Sequence, residues 1–408
     1  MSAVHGIIEQ VGKMKAKDWV SMLKLGASFI PGKIWKLFSP GMWVVSEYEA
    51  LARDNGYWFF KYLREKHPER KVFYPIYFDS PDYQALKPLG NVIRFSSWKH
   101  YMLFWAADTY IGTTKCYGFP YRRICEDLVQ WKLTSFKYVF LNHGFTRGYS
   151  SIVDAKETNY QLLFTCSEKD AEIIMKDNGQ RPDIMRCPGY PRHDTLNDEI
   201  LNKKQILIMP TWRKWIDYRL LSNEEQKKAN LEKFFDSDYY KCLNGLVNNS
   251  RFIEFIEKND LNVVFYFHEY AQEYSQYIKP ASERIRVLKT SDCTIQELLK
   301  ESALLITDYS SVVYDFAYMY KPVIYYQFDV EDFEKYQYAP GDKFSYEEEG
   351  FGETVFDEES AVAAVVSLFD GDFAMADKFR KRVDEFFKYH DNHNCDRVYE
   401  EIIKIVRK

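Results

Sequence analysis

The sequence contains no long apolar run, no paired-cysteine motif and little excess charge, and each absence argues against a class of protein. No stretch of 18 apolar residues occurs among the 408 residues, so no membrane-spanning helix is predicted. The seven cysteines are scattered and form no C-x-x-C pair, which argues against a disulfide framework or a zinc site. The mild net charge of −5 argues against a general nucleic-acid binder. The start lacks a secretory pattern, and we expect a cytosolic protein with reduced thiols.

Apolar side chains and aromatic rings are abundant, at 46% and 17% of the residues, and the length favours two or three domains. Charge is uneven: residues 13–36 contain six lysines against a single acid, Asp18, interleaved with large apolar side chains. Such a basic amphipathic segment can lie on an anionic membrane surface. An ordinary helical hairpin with solvated lysines is the equal alternative.

From residue 71 onward, short apolar runs alternate with helical patterns in two series. The first series predicts strands at Val72–Tyr77, Val92–Phe95, Thr109–Gly112, Tyr138–Leu141, Leu162–Thr165 and Ile184–Cys187. The second, after the loop at 194–204, predicts strands at Ile206–Met209, Val263–His268, Ile285–Leu288, Leu304–Thr307 and Val323–Tyr326. Helices are predicted at Tyr121–Trp131, Glu168–Lys176, 222–234, 240–258, 294–302, 311–320 and within 360–408. This alternation predicts an α/β fold of two successive Rossmann-like units with parallel sheets.

Polar motifs follow the carboxyl ends of five predicted strands, which is where ligands bind in open α/β sheets. The motifs are Asn142-His143-Gly144, Gly189–Asp194, Pro210-Thr211-Trp212-Arg213, His268-Glu269 and Asp308-Tyr309-Ser310-Ser311. In the last motif, two hydroxyls stand where a helix begins. The first N–H groups of a helix lack internal partners and attract negative charge, so this position suits a phosphate or diphosphate. Asp308 and Ser310 can also serve only as helix caps.

Each of these side chains has a chemical and a structural interpretation. His143 is a candidate general base, although a single histidine is more often structural. Thr211 and Arg213 supply a hydroxyl and a planar cation that matches phosphate oxygens, unless the arginine is a plain surface residue. His268 can donate to a phosphate oxygen or cap its strand. The pairs Asp236/Asp238 and Asp370/Asp372 follow no buried strand, and we expect surface acids and no metal site.

Taken together, these motifs resemble those of the CDP-glycerol:poly(glycerophosphate) glycerophosphotransferase family, the primases and polymerases of teichoic acids and related capsules. The similar region runs from Trp43 to Phe333. Its most specific part is Ile306–Ser311 followed by Asp315-Phe316-Ala317. Supporting motifs lie at residues 52–63, 141–144, 189–194 and 210–213. Several motifs in the same order are far more specific than any one of them.

The resemblance implies a GT-B architecture, in which two Rossmann-like domains face a cleft and the second holds the nucleotide. We expect a basic amphipathic segment at 1–40, an acceptor domain at 41–195, a nucleotide-donor domain at 196–370 and C-terminal helices at 371–408. The implied reaction moves glycerol phosphate from CDP-glycerol to a hydroxyl of a membrane-linked acceptor, a lipid-linked saccharide or polyol phosphate, and releases CMP. It uses no metal or other cofactor, and it takes place at the inner face of the cell membrane.

Site residues follow from the same resemblance. His143 matches the histidine thought to act as base, and His268 matches a second histidine near the phosphates. The diphosphate cradle is matched by Thr211, Arg213, Ser310 and Ser311, with Asp308 beside them. From their positions, we place Arg53, Asp54, Asn55 and Arg147 on the acceptor side, with helix capping and ion pairing as the alternative.

Other functions stay open at this point. Relatives that use CDP-ribitol make another CDP-polyol the first alternative donor. A GT-B glycosyltransferase that uses a UDP-sugar, or a sugar-nucleotide epimerase, shares strand-end histidines, but the sequence has no acidic pair at the spacing typical of retaining sugar transferases. A scaffold without activity on a membrane surface is disfavoured, because both histidines and both serines are present.

Overall fold

The computed structural model describes residues 14–196, 202, 204–337 and 344–406, and the chain divides into two units. Unit 1 contains the residues up to Asp194 together with the C-terminal segment from Asp391. Unit 2 runs from Thr195 to His390. The segment expected as separate C-terminal helices, 371–408, is therefore divided between the two units.

Unit 1 is built on a parallel sheet with the strand order β3-β2-β1-β4-β5-β6-β7. Its strands are β1 (Trp43–Ser46), β2 (Val72–Ile76), β3 (Val92–Arg94), β4 (Thr109–Gly112), β5 (Lys137–Phe140), β6 (Leu162–Phe164) and β7 (Met185–Arg186). This is the 3-2-1-4-5-6 order of the Rossmann fold with one strand added. The order reverses direction between β1 and β4, which is the topological switch point of the sheet.

Unit 2 repeats this topology with the order β10-β9-β8-β11-β12-β13, again with parallel pairing. Its strands are β8 (Gln205–Ile208), β9 (Asn262–Tyr266), β10 (Ile285–Leu288), β11 (Leu304–Thr307), β12 (Val323–Tyr326) and β13 (Gly352–Val355). The switch point lies between β8 and β11, the two strands that precede the Thr211 and Asp308 motifs. Both units are therefore Rossmann-like, as the alternation of apolar runs predicts.

The helices, in chain order, are α1 (Ala16–Phe38), α2 (Asn55–Lys66), α3 (Tyr83–Leu86), α4 (Trp98–Ala106), α5 (Arg122–Gln130), α6 (Glu168–Asn178), α7 (Glu224–Asp236), α8 (Asp238–Asn248), α9 (Ser250–Lys258), α10 (Ile295–Glu301), α11 (Val312–Tyr318), α12 (Val330–Tyr336), α13 (Tyr346–Glu349), α14 (Glu358–Asp370), α15 (Asp377–Phe386) and α16 (Asn394–Val406). Short 3₁₀ turns lie at Lys87–Leu89, Pro182–Ile184, Pro191–Thr195, Lys214–Ile216, Tyr218–Leu220 and Glu269–Tyr277. Helices α1–α6 and α16 belong to unit 1, and α7–α15 belong to unit 2. No helix in the described part of the chain is long and apolar enough to cross a membrane.

Two differences from the sequence predictions have clear physical reasons. The helix predicted over 240–258 is two helices, because Asn249 is extended and its side-chain oxygen accepts the N–H of Phe252 to start α9. Strands β1 and β13 were not predicted. β13 is an edge strand whose sequence, Gly352–Val355, contains no apolar run, and β1 precedes the alternating series that begins at residue 71. β1 is nevertheless fully buried between β2 and β4.

The sheet of unit 1 is buried on both faces, since neighbouring residues of a strand point to opposite sides. Val44 belongs to the core on one face and Val45 to the core on the other. Helix α16 packs into the second core through Val398 and Ile402, and the Tyr62 hydroxyl donates to Asp396 at 2.6 Å. These contacts explain why the C-terminal helix belongs to unit 1.

Residues 16–38 form one helix, α1, and not a hairpin. Helix α1 packs on α4 through Leu25 and several small or polar side chains: Gly32 lies so close to Met102 that an added Cβ would be 2.6 Å from its carbonyl oxygen. Large apolar side chains point away from this contact, with Leu23 73% and Leu37 77% exposed. Most large apolar side chains of α1 thus lie on its exposed side, whereas a surface helix usually buries them.

Candidate functional site

His143 lies two residues beyond Leu141 and presents its ring at the surface of unit 1. Asn142 turns the chain with φ +63°, a left-handed conformation that asparagine tolerates, and its side-chain oxygen accepts the N–H of His143 at 2.8 Å. The His143 side chain is 67% exposed. Its Nδ1–H donates to Oδ2 of Asp54 at 2.6 Å. This bond holds Nδ1 as the donor, so the lone pair of the neutral ring lies on Nε2.

Asp54 stands at the start of α2, which is fixed by a buried carboxylate from the loop after β1. Glu47 accepts the N–H groups of Arg53, Asp54 and Tyr57 at 2.9, 2.9 and 2.6 Å. These groups have no partner inside the helix, so the two oxygens of the Glu47 side chain satisfy the helix start. Gly56 is required by the close approach, because an added Cβ would lie 2.8 Å from Cγ of Glu47.

Arg192 connects the Asp54 loop to the His143 loop. One guanidinium nitrogen, Nη1, donates to Oδ1 of Asp54 and to the carbonyl oxygen of His143, each at 2.8 Å. Asn55 adds a buried link, since its amide nitrogen donates to the carbonyl of Asn142 at 2.9 Å and its oxygen accepts the Arg192 N–H at 3.2 Å. The histidine, its carboxylate and the arginine are therefore held in one geometry by three loops.

Electrostatics in this cluster favour an ionised Asp54 and a more basic His143. Burial acts to raise the pKa of Asp54, but the His143 and Arg192 charges hold it below its ordinary value. The Asp54 carboxylate raises the pKa of His143 above its ordinary value. Burial, with help from Asp54, raises the pKa of Glu47 to about 8. Burial also raises the pKa of Asp170, a neighbour that accepts the Thr146 N–H at 3.0 Å, to about 7.

The four side chains expected on the acceptor side have different surroundings. Asp54 and Asn55 join His143, as described above. Arg53 pairs with Asp82 at 2.7 Å, which is the ion-pairing alternative. Arg147 is half-buried in the loop after β5. Acceptor binding by these residues stays a prediction.

In unit 2, Arg213 is a buried residue and not a surface one: it is only 1% exposed. Its guanidinium donates to both oxygens of Asp329, at 2.7 and 2.9 Å, and to Asp308 at 2.7 Å. It also donates to the Thr211 carbonyl at 2.6 Å. Burial acts to lower the pKa of Arg213, but the two carboxylates raise it above its ordinary value. The donors of Arg213 thus bind protein groups, and its geometry suits support of the site more than direct phosphate contact.

Asp308 uses its second oxygen to hold the two loops at the switch point. Oδ1 accepts the N–H of Thr211 at 2.8 Å and the N–H of Tyr309 at 2.6 Å. The loop after β8 and the loop after β11 are therefore joined through one carboxylate. The buried Oγ1 of Thr211 has no hydrogen-bond partner among the described residues, so it is available to a ligand.

The two serines and His268 complete the predicted donor side. Ser310 Oγ accepts the N–H of Val312 at 3.3 Å, and Ser311 is exposed beside it. His268 Nδ1 accepts the N–H of Tyr270 at 3.2 Å and so caps the 3₁₀ turn that follows. This bond leaves the proton of the neutral imidazole on Nε2, the atom that can donate to an oxygen. Capping and ligand binding are therefore compatible for both His268 and Ser310.

Sequence reasoning missed three residues of these clusters, Glu47, Arg192 and Asp329. Arg192 stood inside the Gly189–Asp194 motif, so a signal existed. Glu47 follows β1 and Asp329 follows β12, and strand-end position was the only sign of either. Among residues 14–196, 202, 204–337 and 344–406, no group of three or more His, Cys, Asp or Glu side chains is placed to hold a metal ion.

Comparisons with known proteins identify a matching family and several similar proteins. The family model described as CDP-glycerol:poly(glycerophosphate) glycerophosphotransferase matches residues 42–404. The minor teichoic acid biosynthesis protein GgaB of Bacillus subtilis (strain 168) is 33% identical over 368 residues, which cover 89% of this chain and 40% of GgaB. The teichoic acid poly(glycerol phosphate) polymerase of the same strain is 25% identical, covering 85% of this chain and 46% of that protein.

A ribitol-phosphate enzyme is also similar. The teichoic acid ribitol-phosphate polymerase TarK of Staphylococcus aureus (strain NCTC 8325 / PS 47) is 25% identical over 309 residues, which cover 69% of this chain and 53% of TarK. The chain spans about half the length of these curated relatives.

Solved structures give the fold. The wall teichoic acid polymerase TagF has a TM-score of 0.63 and 14% identity, over 97% of this chain and 99% of that one. A putative UDP-N-acetylglucosamine 2-epimerase from Listeria monocytogenes has a TM-score of 0.55 and 14% identity, over 90% of this chain and 97% of that one. At such identities the likeness concerns the fold alone, and it confirms an α/β fold of GT-B type.

Proposed function

Because the chain belongs to the CDP-glycerol:poly(glycerophosphate) glycerophosphotransferase family, we propose that it is an enzyme that transfers a polyol phosphate from a CDP-polyol to a hydroxyl of a teichoic-acid-like acceptor, with release of CMP. Glycerol phosphate is the first candidate for the transferred group. Ribitol phosphate is the alternative, since relatives named as ribitol-phosphate polymerases match the same chain. A TagF variant soaked with CDPG supports a donor of this class.

The observation that carries the proposal is the pairing of His143 with Asp54. Asp54 holds Nδ1–H, and the neutral ring offers Nε2 to the acceptor hydroxyl. The hydroxyl oxygen forms a bond to the phosphorus that bears the polyol, the bond from that phosphorus to the CMP oxygen breaks, and the hydroxyl proton moves to Nε2. General-base assistance of this kind contributes about 10² to 10⁴ in rate.

The donor diphosphate is assigned to the switch point of unit 2. There the Thr211 hydroxyl, the serines 310 and 311, and Nε2–H of His268 are the groups that can contact phosphate oxygens. Phosphoryl transfer depends mainly on orientation and charge neutralisation, which such donors provide. Arg213 and Asp308 support this cradle by fixing the Thr211 backbone. Asp308 thus positions Thr211 and does not itself contact the phosphates.

Helix α1 supports a location at the inner face of the cell membrane. Its exposed apolar residues, including Leu23, Ile30 and Leu37, are interleaved with lysines. An amphipathic helix of this composition binds an anionic bilayer through buried apolar area and charge attraction. The lipid-linked acceptor of the proposed reaction would be anchored in the same surface.

The test is CMP release by the purified protein from CDP-glycerol and, separately, from CDP-ribitol, each with a lipid-linked disaccharide acceptor. Acceptor-dependent CMP from either donor supports the proposal and identifies the polyol. Product length then separates a primase from a polymerase. No CMP from either donor, together with protection by a UDP-sugar and none by CDP-polyols, would replace the proposal with a sugar transferase.

A further inference from the structure

Unit 1 contains a groove of about 710 Å³ that the assignments above leave without a ligand. One wall is formed by Lys17, Val20, Ser21 and Lys24, from successive turns of α1, so we call it the α1 groove. Its volume is in the range of small-molecule sites.

The other wall of the α1 groove comes from the carboxyl ends of the strands. Tyr77 directly follows β2, Phe95 directly follows β3, and Glu49 and Tyr117 lie in the loops after β1 and β4. All strands of the sheet are parallel, so these loops emerge at the same edge as His143, which follows β5. Ligands of open α/β sheets bind at this edge and near the switch point between β1 and β4.

The charge of the α1 groove favours a phosphate. Lys17, Lys24 and Arg122 line its walls with one acid, Glu49, and Arg122 also pairs with Glu126 at 3.6 Å. Arginine donates in a fork that matches phosphate oxygens, and lysine adds a mobile positive charge. With Glu126 counted, three cations face two carboxylates, so the groove keeps an excess of positive charge that attracts an anion.

The aromatic side chains favour a sugar ring beside that phosphate. The Tyr117 ring is held by Tyr48, at 4.5 Å between centroids, and by the Arg122 guanidinium, 3.8 Å from its centroid. The Tyr77 ring lies 4.9 Å from Phe95. A tyrosine presents an apolar face and a polar tip, and a sugar ring likewise presents apolar C–H faces and hydroxyl edges.

The α1 groove is continuous with the exposed apolar surface of α1. Val20 lines the groove and is also 52% exposed, and Leu23 lies one turn further along the helix. A ligand with a phosphate and a sugar in the groove can therefore extend an apolar chain over α1 without leaving an apolar surface.

We infer that the α1 groove binds the membrane-proximal end of the acceptor, a phosphate-linked saccharide on an apolar chain, and so keeps the acceptor at the His143 edge of the sheet. This inference rests on the proposed function, since it names the substrate part that unit 1 holds. Arg122 and Lys24 bind the phosphate, Tyr77 and Tyr117 contact the sugar, and α1 carries the chain towards the bilayer.

The test measures acceptor KM with a soluble analogue, a disaccharide linked by diphosphate to a farnesyl chain, at saturating CDP-polyol. Arg122→Gln and Tyr77→Ala are each expected to raise this KM about tenfold, because each removes one contact group. The KM for the CDP-polyol should not change. Lys71→Gln is the matched control, an exposed charge of unit 1 outside the groove. Wild-type acceptor KM in both groove variants overturns the inference.

A second experiment tests whether the groove binds the acceptor or the headgroups of bilayer lipids. Vesicles of phosphatidylglycerol and phosphatidylcholine without acceptor should bind Arg122→Gln and the wild type with equal affinity. If Arg122→Gln loses vesicle binding and keeps its acceptor KM, the groove is a headgroup site and the inference is wrong.

Direct binding of the farnesyl-linked analogue, followed by tryptophan fluorescence, separates this inference from the proposed function. If both variants bind the analogue more weakly and no protein releases CMP, the groove inference is supported and the proposed transferase function is contradicted. If CMP release depends on the acceptor but both variants bind the analogue as the wild type does, only the groove inference is contradicted. Thermal melting by circular dichroism checks that both variants fold, and Arg122→Lys, which keeps the charge, should restore part of the affinity.

Discussion

Nδ1 of His143 lies 2.6 Å from one oxygen of Asp54, and the other oxygen of the same carboxylate receives Arg192 at 2.8 Å. The carboxylate raises the pKa of His143, whereas the guanidinium charge lowers it. Two neighbours therefore act on the basicity of one ring in opposite directions. If His143 is the base, the rate must rise with pH through its pKa, because only the neutral ring accepts a proton.

Asp54→Asn should move this rise to lower pH. The substitution removes the negative charge that raises the His143 pKa, so the ring becomes neutral at a lower pH. The plateau should fall about 100-fold or more, since an amide can also turn its NH₂ group to Nδ1 and move the ring proton to Nε2. The measurement is kcat/KM for the acceptor against pH. An unchanged profile would remove Asp54 from this role.

Arg192→Met should move the same rise to higher pH. Without the guanidinium, Asp54 acts on His143 unopposed and the pKa of the ring increases. Arg186→Met is the matched control, since Arg186 pairs with Glu401 elsewhere in unit 1. Shifts of the same sign in Asp54→Asn and Arg192→Met would contradict the electrostatic account.

The sequence predicted much of the fold because its strands are short apolar runs that stand between helical patterns. It predicted the positions of His143, His268 and Asp308 for the same reason: a polar residue after such a run lies at the ligand edge of a parallel sheet. The short, buried β1 at the centre of the sheet was missed. Glu47, which follows β1, was missed for the same reason. Its side chain accepts N–H groups at the start of α2 and so positions Asp54.

The partners of the site residues were not predictable from local patterns. His143 and Asp54 are 89 positions apart in sequence, and Arg213 and Asp308 are 95 apart. Which loops meet is decided by the strand order of each sheet, and that order follows from packing of the whole unit. Arg213 illustrates the consequence: its fork suggested a phosphate ligand, and the structure surrounds it with Asp308 and Asp329.

Arg213→Ala should destabilise unit 2 by about 3–5 kcal/mol, because it leaves two carboxylates buried without their cation. Differential scanning calorimetry should show the unfolding transition at a lower temperature than in the wild type. Arg251→Ala, which breaks an exposed pair with Glu359, is the control and should cost less than about 1 kcal/mol. An Arg213→Ala protein with unchanged melting and weak CDP-polyol binding would make Arg213 a direct phosphate ligand.

Gly189→Ala should loosen α16 from unit 1. Gly189 has φ +86°, and an added Cβ would lie 2.0 Å from Oδ1 of Asn394, at the start of that helix. Gly41→Ala is the matched control, since φ there is +81° and nothing lies within 4 Å of the added atom. Both variants carry a backbone strain of about 1–2 kcal/mol. Only Gly189→Ala should speed amide hydrogen exchange in α16, and equal exchange in the two variants would rule out the contact.

Serine in place of Leu23, Ile30 and Leu37 together should abolish binding to phosphatidylglycerol vesicles. Each side chain is largely exposed on α1 and contributes about 1–2 kcal/mol when it enters a bilayer interface, so the triple variant should bind at least 100-fold more weakly. Leu133→Ser, an exposed leucine of unit 1 outside α1, should bind as the wild type. Because the lysines of α1 add a charge attraction, wild-type binding should also weaken as salt is raised. Vesicle binding that survives the triple substitution would mean that the exposed apolar side chains of α1 do not drive binding to the bilayer.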